Sequence, residues 1–98
     1  MSEGKKHDAG KPRAGMVLGD FARALLYISE IGTQGAEEYG DSNWVLVAKE
    51  RYKDARMRHV LQEETEVHDS KSRKLHAGHT AWNALAYLDH LLREEEKR

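Results

Sequence analysis

Apolar residues recur at helical spacing in three stretches of the chain, with polar residues between them. The first stretch predicts a helix over residues 16–31. Its apolar side chains stand at i, i+4, i+8 and i+11 and therefore share one face: Val17, Phe21, Leu25 and Ile28. Gly32 and Gly35 are expected to interrupt this helix, and a short helical piece over 36–39 is expected to end at Gly40.

The two later stretches predict longer helices. A helix over residues 44–66 is expected to turn inward a face made of Leu46, Ala48, Tyr52, Ala55 and either His59 or Val60. The next segment, H-D-S-K-S-R-K, is polar and typical of a turn. A third helix over residues 75–95 carries an apolar stripe of Trp82, Leu85, Leu88 and Leu92. No segment alternates persistently, so the sequence predicts an all-α fold, a small bundle of three to four helices.

Residues 1–15 differ from the rest of the chain and are expected to form an extended basic arm before a single helical domain, 16–98. Glycine and proline punctuate the arm. Its cations are Lys5, Lys6, Lys11 and Arg13. A frayed terminus is the simpler interpretation, but cations on a flexible backbone are also suited to contacting phosphate.

Composition narrows the function classes. The chain has 98 residues with 16 basic and 17 acidic side chains, so its near-zero net charge argues against general nucleic-acid binding. It has no cysteine, which excludes disulfides and thiolate metal sites. No apolar run has membrane-spanning length, so no membrane contact is expected and a cytoplasmic location is natural. A chain this short buries a modest core, which favours a homo-oligomer.

The C-terminal half of the chain carries a cluster of ligand-type side chains. His76, His79 and Asn83 stand at i, i+3 and i+7 of the third predicted helix and point roughly the same way. Glu66 and Asp69 precede the turn and can supply carboxylates to the same pocket. Any one of these histidines alone is more simply a helix cap or a solvated side chain. The whole set predicts a pocket that binds a divalent metal or moves protons: His59, Glu66, Asp69, His76, His79 and Asn83.

A second group of candidates precedes the second predicted helix. Glu37 and Glu38 are adjacent on a helix and face different directions, so only one should reach a shared site, and Glu38 is the choice. Asn43 offers paired donor and acceptor groups for a base edge or a sugar. Trp44 is equally well interpreted as a base-stacking platform or as a core anchor.

Cationic candidates complete the set. Arg58 can present a two-pronged donor to a phosphate, and Lys11 and Arg13 are placed to close over the same ligand. Carboxylates for a metal and cations for phosphate are the pairing that a magnesium-bound triphosphate needs. The sequence has no Walker A loop, no G-x-S-x-G and no H-E-x-x-H, so a P-loop enzyme, a serine hydrolase of that type and a zincin are not indicated.

In order along the chain, these residues match the motifs of a known family. The motifs are D-x-G-K-P-R at 8–13, G-A-x-x-Y-G-x-x-N-W at 35–44, R-Y-x-x-A-x-x-R-H-L at 51–60, G-E-x-x-D-x-x-S-G at 65–73 and H-x-x-H-x-x-W-N at 76–83. The sequence thus resembles the dATP/dGTP diphosphohydrolase N-terminal domain family, a phage and bacterial group related to the MazG-like nucleotide pyrophosphohydrolases. It departs from the family pattern at Val60, Thr65, Ser70 and Arg73, where leucine, glycine, proline and glycine are usual, and at Gly78, where a better helix former is usual.

The resemblance implies a MazG-like helical bundle that hydrolyses a purine deoxynucleoside triphosphate to the monophosphate and pyrophosphate with Mg²⁺ or Mn²⁺. It implies that Glu38, Glu66 and Asp69 hold the metal, to which the histidine pattern adds His76. His59 or His79 would then be a further ligand or the proton acceptor. MazG-like proteins assemble as dimers or tetramers, so the resemblance also favours a homo-oligomer. It places a phage-borne protein in the host cytoplasm.

Two other interpretations remain open on the sequence. The same scaffold can serve as a non-catalytic phage protein that sequesters a nucleotide or a cyclic-nucleotide signal, a role that the basic arm and Trp44 would suit. It can also be a plain helical interaction module whose histidines are incidental.

Overall fold

The computed structural model describes residues 4–97, and in this part of the chain it is entirely helical apart from loops. It has four α-helices and one short 3-10 helix at Asn43–Leu46. The α-helices are α1 at Ala14–Asp20, α2 at Ala22–Tyr39, α3 at Lys49–Glu63 and α4 at His76–Glu96. The all-α prediction is confirmed. No helix among residues 4–97 is both long and apolar enough to cross a membrane.

The first predicted helix differs from the structure at both ends. It begins at Ala14, breaks at Phe21 and then continues without interruption to Tyr39. The predicted break at Gly32 was wrong. A side chain at Gly32 would meet the Trp82 ring, with its Cβ only 2.8 Å from Cζ3, so this glycine allows α4 to approach closely. The predicted end at Gly40 is confirmed, and its φ of 99° is a conformation that glycine adopts readily.

The second and third predicted helices have different outcomes. α3 begins at Lys49 rather than at residue 44, because Asn43–Leu46 form the 3-10 helix and Val47 and Ala48 are extended. The third prediction, 75–95, is confirmed within one residue at each end by α4. At the start of α4 the Leu75 amide donates to the Tyr27 hydroxyl at 2.7 Å, so a side chain of α2 serves an amide at the end of the loop.

Helices α3 and α4 form the main packing pair. Lys49 Nζ lies 2.6 Å from Glu94 Oε1, so the start of α3 lies beside the end of α4 and the two helices run antiparallel. Helix α2 crosses α4 at two glycines. A Cβ on Gly78 would lie 2.7 Å from Tyr27 Cε2 and 2.8 Å from Ile31 Cδ1, so the α2–α4 crossing has no room for a larger residue.

The predicted apolar stripe of α4 is covered only at Trp82, which is half-buried and packs against Gly32. The buried residues of α4 are His76, Gly78, Asn83 and Ala86, whereas the leucines of the stripe, Leu85, Leu88 and Leu92, are 46–51% exposed. The reason is that α2 and α3 both pack on the small and polar side of α4, where backbones can approach closely. The predicted inner face of α3 is confirmed for Tyr52, Ala55 and His59, which are half-buried. Of the two alternatives at its end it is His59, since Val60 is exposed, and the prediction was wrong for Leu46 and Ala48, which are also exposed.

The single chain leaves much apolar surface uncovered. Among the described residues, Ile31 and Ala86 are the only buried hydrophobic ones, and Val17 and Phe21 of the predicted first stripe are exposed. The radius of gyration is 17.1 Å, against about 13 Å for a compact domain of this length. The chain is elongated, with extents of 58 × 34 × 26 Å.

A tight loop joins α3 to α4, as the polar H-D-S-K-S-R-K segment predicted. His68 and Leu75 pair in an isolated antiparallel bridge, and the Asp69 amide donates to the Lys74 carbonyl at 2.7 Å. The Asp69 carboxylate accepts the amides of Lys71 at 3.1 Å and Ser72 at 2.8 Å. Asp69 therefore shapes the loop that carries it.

Arg73 closes this loop with a φ of 67°, a left-handed conformation that costs a residue with a side chain about 1–2 kcal/mol. Replacing Arg73 with glycine is therefore expected to raise the free energy of unfolding by about 0.5–1 kcal/mol. Urea unfolding measures the change. Ser70→Gly is the matched control, because Ser70 does not have a positive φ and should gain nothing. Equal effects from both substitutions would contradict the explanation.

Candidate active site

A cleft of about 650 Å³ lies where α2, α3, α4 and the loop between α3 and α4 meet. It brings together six of the side chains singled out in the sequence: Glu38, Arg58, His59, Asp69, His79 and Asn83. Glu38 comes from α2, Arg58 and His59 from α3, Asp69 from the loop, and His79 and Asn83 from α4. Trp82 also lines this cleft, so an aromatic surface lies beside the polar groups.

Three imidazoles meet at the base of this region. His59 Nδ1 lies 2.9 Å from His76 Nδ1, and the His59 ring stacks on the His79 ring with 4.5 Å between centroids and 11° between planes. His76 is 1% exposed. Burial lowers the pKa of both His59 and His79, and for His59 the neighbouring imidazoles lower it further. Neutral imidazoles have a free lone pair, so these rings are suited to accepting a proton or binding a metal.

Asp69 is the carboxylate next to the imidazoles. The Ser72 amide that donates to it is the main reason its pKa is lowered, so the group is a carboxylate at neutral pH. Ser72 also connects the loop to α4, because its Oγ lies 2.6 Å from His79 Nε2 and accepts the Lys74 amide at 3.1 Å. The loop geometry thus fixes Asp69 and His79 together.

His59, Asp69 and His76 form a compact set of donors. In the described part of the chain, no other three such side chains bring their ligand atoms within 4.8 Å of one another. Glu66 lies beside this set, with its Oε2 3.9 Å from His76 Nε2. That nitrogen is buried and has no hydrogen-bond partner.

Glu38 lines the cleft but is already paired. Its Oε1 lies 3.2 Å from Lys71 Nζ, and the side chains are 48% and 78% exposed, so this ion pair is weak and easily exchanged. The Tyr39 hydroxyl and, after it, Lys71 lower the pKa of Glu38. Lys71 was not singled out in the sequence, where it reads as one more cation in a polar turn.

Two neighbouring clefts extend the site along α3 and α4. One of about 550 Å³ is lined by Arg58, Asn83, Asn43 and Arg51, so two arginines face one space. The Asn83 Nδ2 donates to the His79 carbonyl at 2.8 Å. A smaller cleft of about 170 Å³ lies between Trp44 and Trp82.

Trp44 has features of both roles left open in the sequence. It is half-buried, its carbonyl accepts the Tyr52 hydroxyl at 3.2 Å, and its ring meets the His90 ring edge-on with centroids 5.3 Å apart. Arg93 lies over its ring, 5.0 Å from the centroid. The Trp44 side chain also lines the cleft of about 170 Å³, so Trp44 both anchors the 3-10 helix and forms part of the cleft wall.

The basic arm lies apart from these clefts. Lys11 and Arg13 are exposed and line none of the three clefts described above. Lys11 is held only locally, by its amide donating to the Asp8 carbonyl at 3.0 Å. Within one chain, the arm and Arg58 are therefore not brought around a common ligand.

Ser72 and Arg51 are the further cleft residues that the sequence reasoning missed as candidates. Both stand inside motifs of the family pattern, Ser72 in D-x-x-S and Arg51 in R-Y. Their fixed spacing to Asp69 and to Arg58 was the available signal.

Comparison with protein families supports the motif pattern. The profile described as "dATP/dGTP diphosphohydrolase, N-terminal" matches residues 1–98, the whole chain. Comparison with curated proteins and with solved structures finds no match. A match over the full length of the chain shows the family. The chain belongs to the dATP/dGTP diphosphohydrolase, N-terminal, family.

Proposed function

We propose that the protein hydrolyses purine deoxynucleoside triphosphates, dGTP or dATP, to the monophosphate and pyrophosphate with the help of Mg²⁺ or Mn²⁺. The observation that carries the proposal is the cleft of about 650 Å³ that holds carboxylates, uncharged imidazoles and an arginine together. The family description supports the substrate class. A cleft of this volume is in the range that small-molecule ligands occupy.

The donor chemistry fits a divalent metal. Asp69 is a carboxylate fixed by loop amides, while Glu38 and Glu66 are exposed enough to turn toward an ion. These side chains, with His76, are the proposed holders. A metal bound there would lower the pKa of a water and offset phosphate charge.

The remaining roles fall to the chain's own side chains. Arg58, which lines both larger clefts, is proposed to bind phosphate oxygens through two parallel hydrogen bonds. His59 or His79, with a lowered pKa, is proposed to accept the proton of the attacking water. The water oxygen bonds to one phosphorus of the α–β anhydride, the bond from that phosphorus to the bridging oxygen breaks, and the monophosphate and pyrophosphate separate. Trp44, Asn43 and Asn83 are proposed to contact the base and sugar.

We also propose that the protein works as a homo-oligomer. The half-exposed leucine stripe of α4 and the exposed apolar residues of α1 are surfaces that a second copy would cover. Lys11 and Arg13, remote from the clefts of their own chain, are proposed to reach a ligand in a neighbouring copy. Light scattering is expected to give a mass at least twice the 11.2 kDa of one chain.

The deciding experiment is incubation of the purified protein with dGTP or dATP and Mg²⁺ or Mn²⁺, with pyrophosphate and monophosphate measured together. Equal amounts of both products are expected. Formation of diphosphate and orthophosphate, or no product with any nucleotide and either metal, would contradict the proposal.

A non-catalytic nucleotide-binding role is the second candidate, and one observation favours it. Glu38 is paired with Lys71, and an oxygen of Asp69 accepts two loop amides, so both carboxylates already have partners. Calorimetry followed by recovery of the ligand separates the candidates. Tight binding with the nucleotide or cyclic nucleotide recovered intact would favour sequestration over hydrolysis.

A further inference from the structure

We propose that His59, His76 and Asp69 form a site that selects a borderline first-row divalent cation, such as Zn²⁺ or Co²⁺, over Mg²⁺. The inference rests on the proposed function and deepens it by dividing the proposed metal holders between two ions. Asp69 and His76 would hold this ion together with His59, which leaves His79 as the proton acceptor. The Mg²⁺ that accompanies a nucleotide would be held by Glu38 and the phosphate oxygens. It is tested without any nucleotide.

The donor types carry the first part of the argument. Two imidazoles and one carboxylate bring their ligand atoms within 4.8 Å of one another. Mg²⁺ prefers oxygen ligands and keeps several of its waters. Imidazole nitrogen is instead the ligand that suits Zn²⁺, Co²⁺, Ni²⁺ and Fe²⁺. The set therefore favours a borderline ion.

The separation of the two imidazoles carries the second part. His59 Nδ1 and His76 Nδ1 are 2.9 Å apart. At this distance the metal-free rings share one hydrogen. Two nitrogens that each lie about 2.0–2.1 Å from one tetrahedral ion are about 3.3–3.4 Å apart, so the two rings need to separate by only about 0.5 Å for an ion to replace that hydrogen. The stacking of His79 on His59 holds the His59 ring in an orientation that faces His76.

The far side of His76 carries the third part. A ligand imidazole that binds through Nδ1 has its hydrogen on Nε2, and metal sites usually offer that hydrogen to a carboxylate. His76 Nε2 is buried and has no hydrogen-bond partner. The carboxylate oxygen Glu66 Oε2 lies 3.9 Å from it, which is too long for a hydrogen bond. Glu66 is exposed and can move closer, so it is assigned as a positioning residue for His76.

The number of protein ligands indicates how the ion is used. Three ligands leave further positions on the ion for water or a phosphate oxygen, which is the arrangement of catalytic rather than structural sites. The donors line or adjoin the cleft of about 650 Å³, so those positions would face the space proposed for the nucleotide.

The test is titration of metal-free protein, prepared without a polyhistidine tag, with Co²⁺, followed by visible absorption. We expect Co²⁺ bands that saturate at one ion per chain and disappear on addition of Zn²⁺. About a hundredfold excess of Mg²⁺ should leave them unchanged. Absence of bands, or their loss with Mg²⁺, would overturn the proposal.

Variants locate the ion. His59→Asn is expected to weaken Co²⁺ affinity by about 100-fold or more, and Glu66→Gln by about 10–100-fold. Glu66 is exposed, so its variant decides the matter even if the His59 variant does not fold. The matched control is His68→Asn, which removes an exposed imidazole next to Asp69 and should bind Co²⁺ as the wild type does. Weaker Co²⁺ binding by the His68→Asn variant, or unchanged Co²⁺ affinity of the Glu66→Gln variant, would refute the assignment.

This test is independent of catalysis. Co²⁺ binding without pyrophosphate release would support the site and contradict the proposed hydrolysis. Pyrophosphate release with Mg²⁺ and no Co²⁺ bands would support the hydrolysis and overturn the site.

Discussion

Replacing Asp69 with asparagine is expected to lower pyrophosphate release from dGTP or dATP by about 10²-fold or more, while the helical fold is retained. Asparagine has nearly the same shape as aspartate, and its amide oxygen can still accept the amides of Lys71 and Ser72. The loop is therefore preserved. The negative charge that would hold the metal is lost, so the loss of rate reports charge and not loop structure.

Two further variants make this test specific. Asp69→Ala removes the loop acceptor as well as the charge, so it is expected to lower both activity and the free energy of unfolding, the latter by about 1–2 kcal/mol. Asp41→Asn removes the same charge at an exposed position outside the three clefts and should leave the rate unchanged. Circular dichroism and product assays on all three provide the comparison. An Asp69→Asn enzyme with wild-type rate would exclude Asp69 as a metal holder.

Replacing Gly78 with alanine is expected to lower the free energy of unfolding by about 1–3 kcal/mol, despite alanine's greater helix propensity. The added Cβ would lie 2.7 Å from Tyr27 Cε2 and 2.8 Å from Ile31 Cδ1. Those side chains belong to the α2–α4 crossing, and Ile31 is buried, so neither can move aside cheaply. The clash outweighs the propensity gain of about 1 kcal/mol.

Gly35→Ala is the matched control for this prediction. Gly35 also lies inside a helix, α2, but a Cβ there would meet no atom within 4 Å. The same substitution is therefore expected to raise stability by about 0.5–1 kcal/mol. Urea unfolding of both variants at equal protein concentration measures the contrast. A stabilised Gly78→Ala protein would contradict the close crossing.

The sequence predicted long-range convergence better than local packing. His59, Asp69 and His76 come from α3, the loop and α4, and their ligand types alone indicated one pocket. The boundaries of α4 were also predictable, because a long periodic segment outweighs local signals. Gly32 was misread for the opposite reason, because only the position of the Trp82 ring reveals why a glycine stands inside a helix.

Which part of the α4 stripe is covered could not be predicted from the sequence, and the cause is general. Periodicity identifies an apolar stripe but not what covers it. Leu85, Leu88 and Leu92 form the expected stripe, yet α2 and α3 pack on His76, Asn83 and Ala86 instead. A single sequence cannot distinguish a core face from a face reserved for another chain.

Tyr27 connects the scaffold to the chemistry. Its hydroxyl accepts a hydrogen bond from the amide of Leu75, which is the residue before His76. Its ring packs directly against Gly78, so closely that a Cβ on that glycine would clash with it. Displacement of α2 from α4 would therefore remove contacts that hold the first turn of α4, on which His76 lies. Binding at the imidazole cluster and packing of α2 on α4 are therefore thermodynamically coupled. A ligand bound to the cluster also stabilises the packing of α2 against α4.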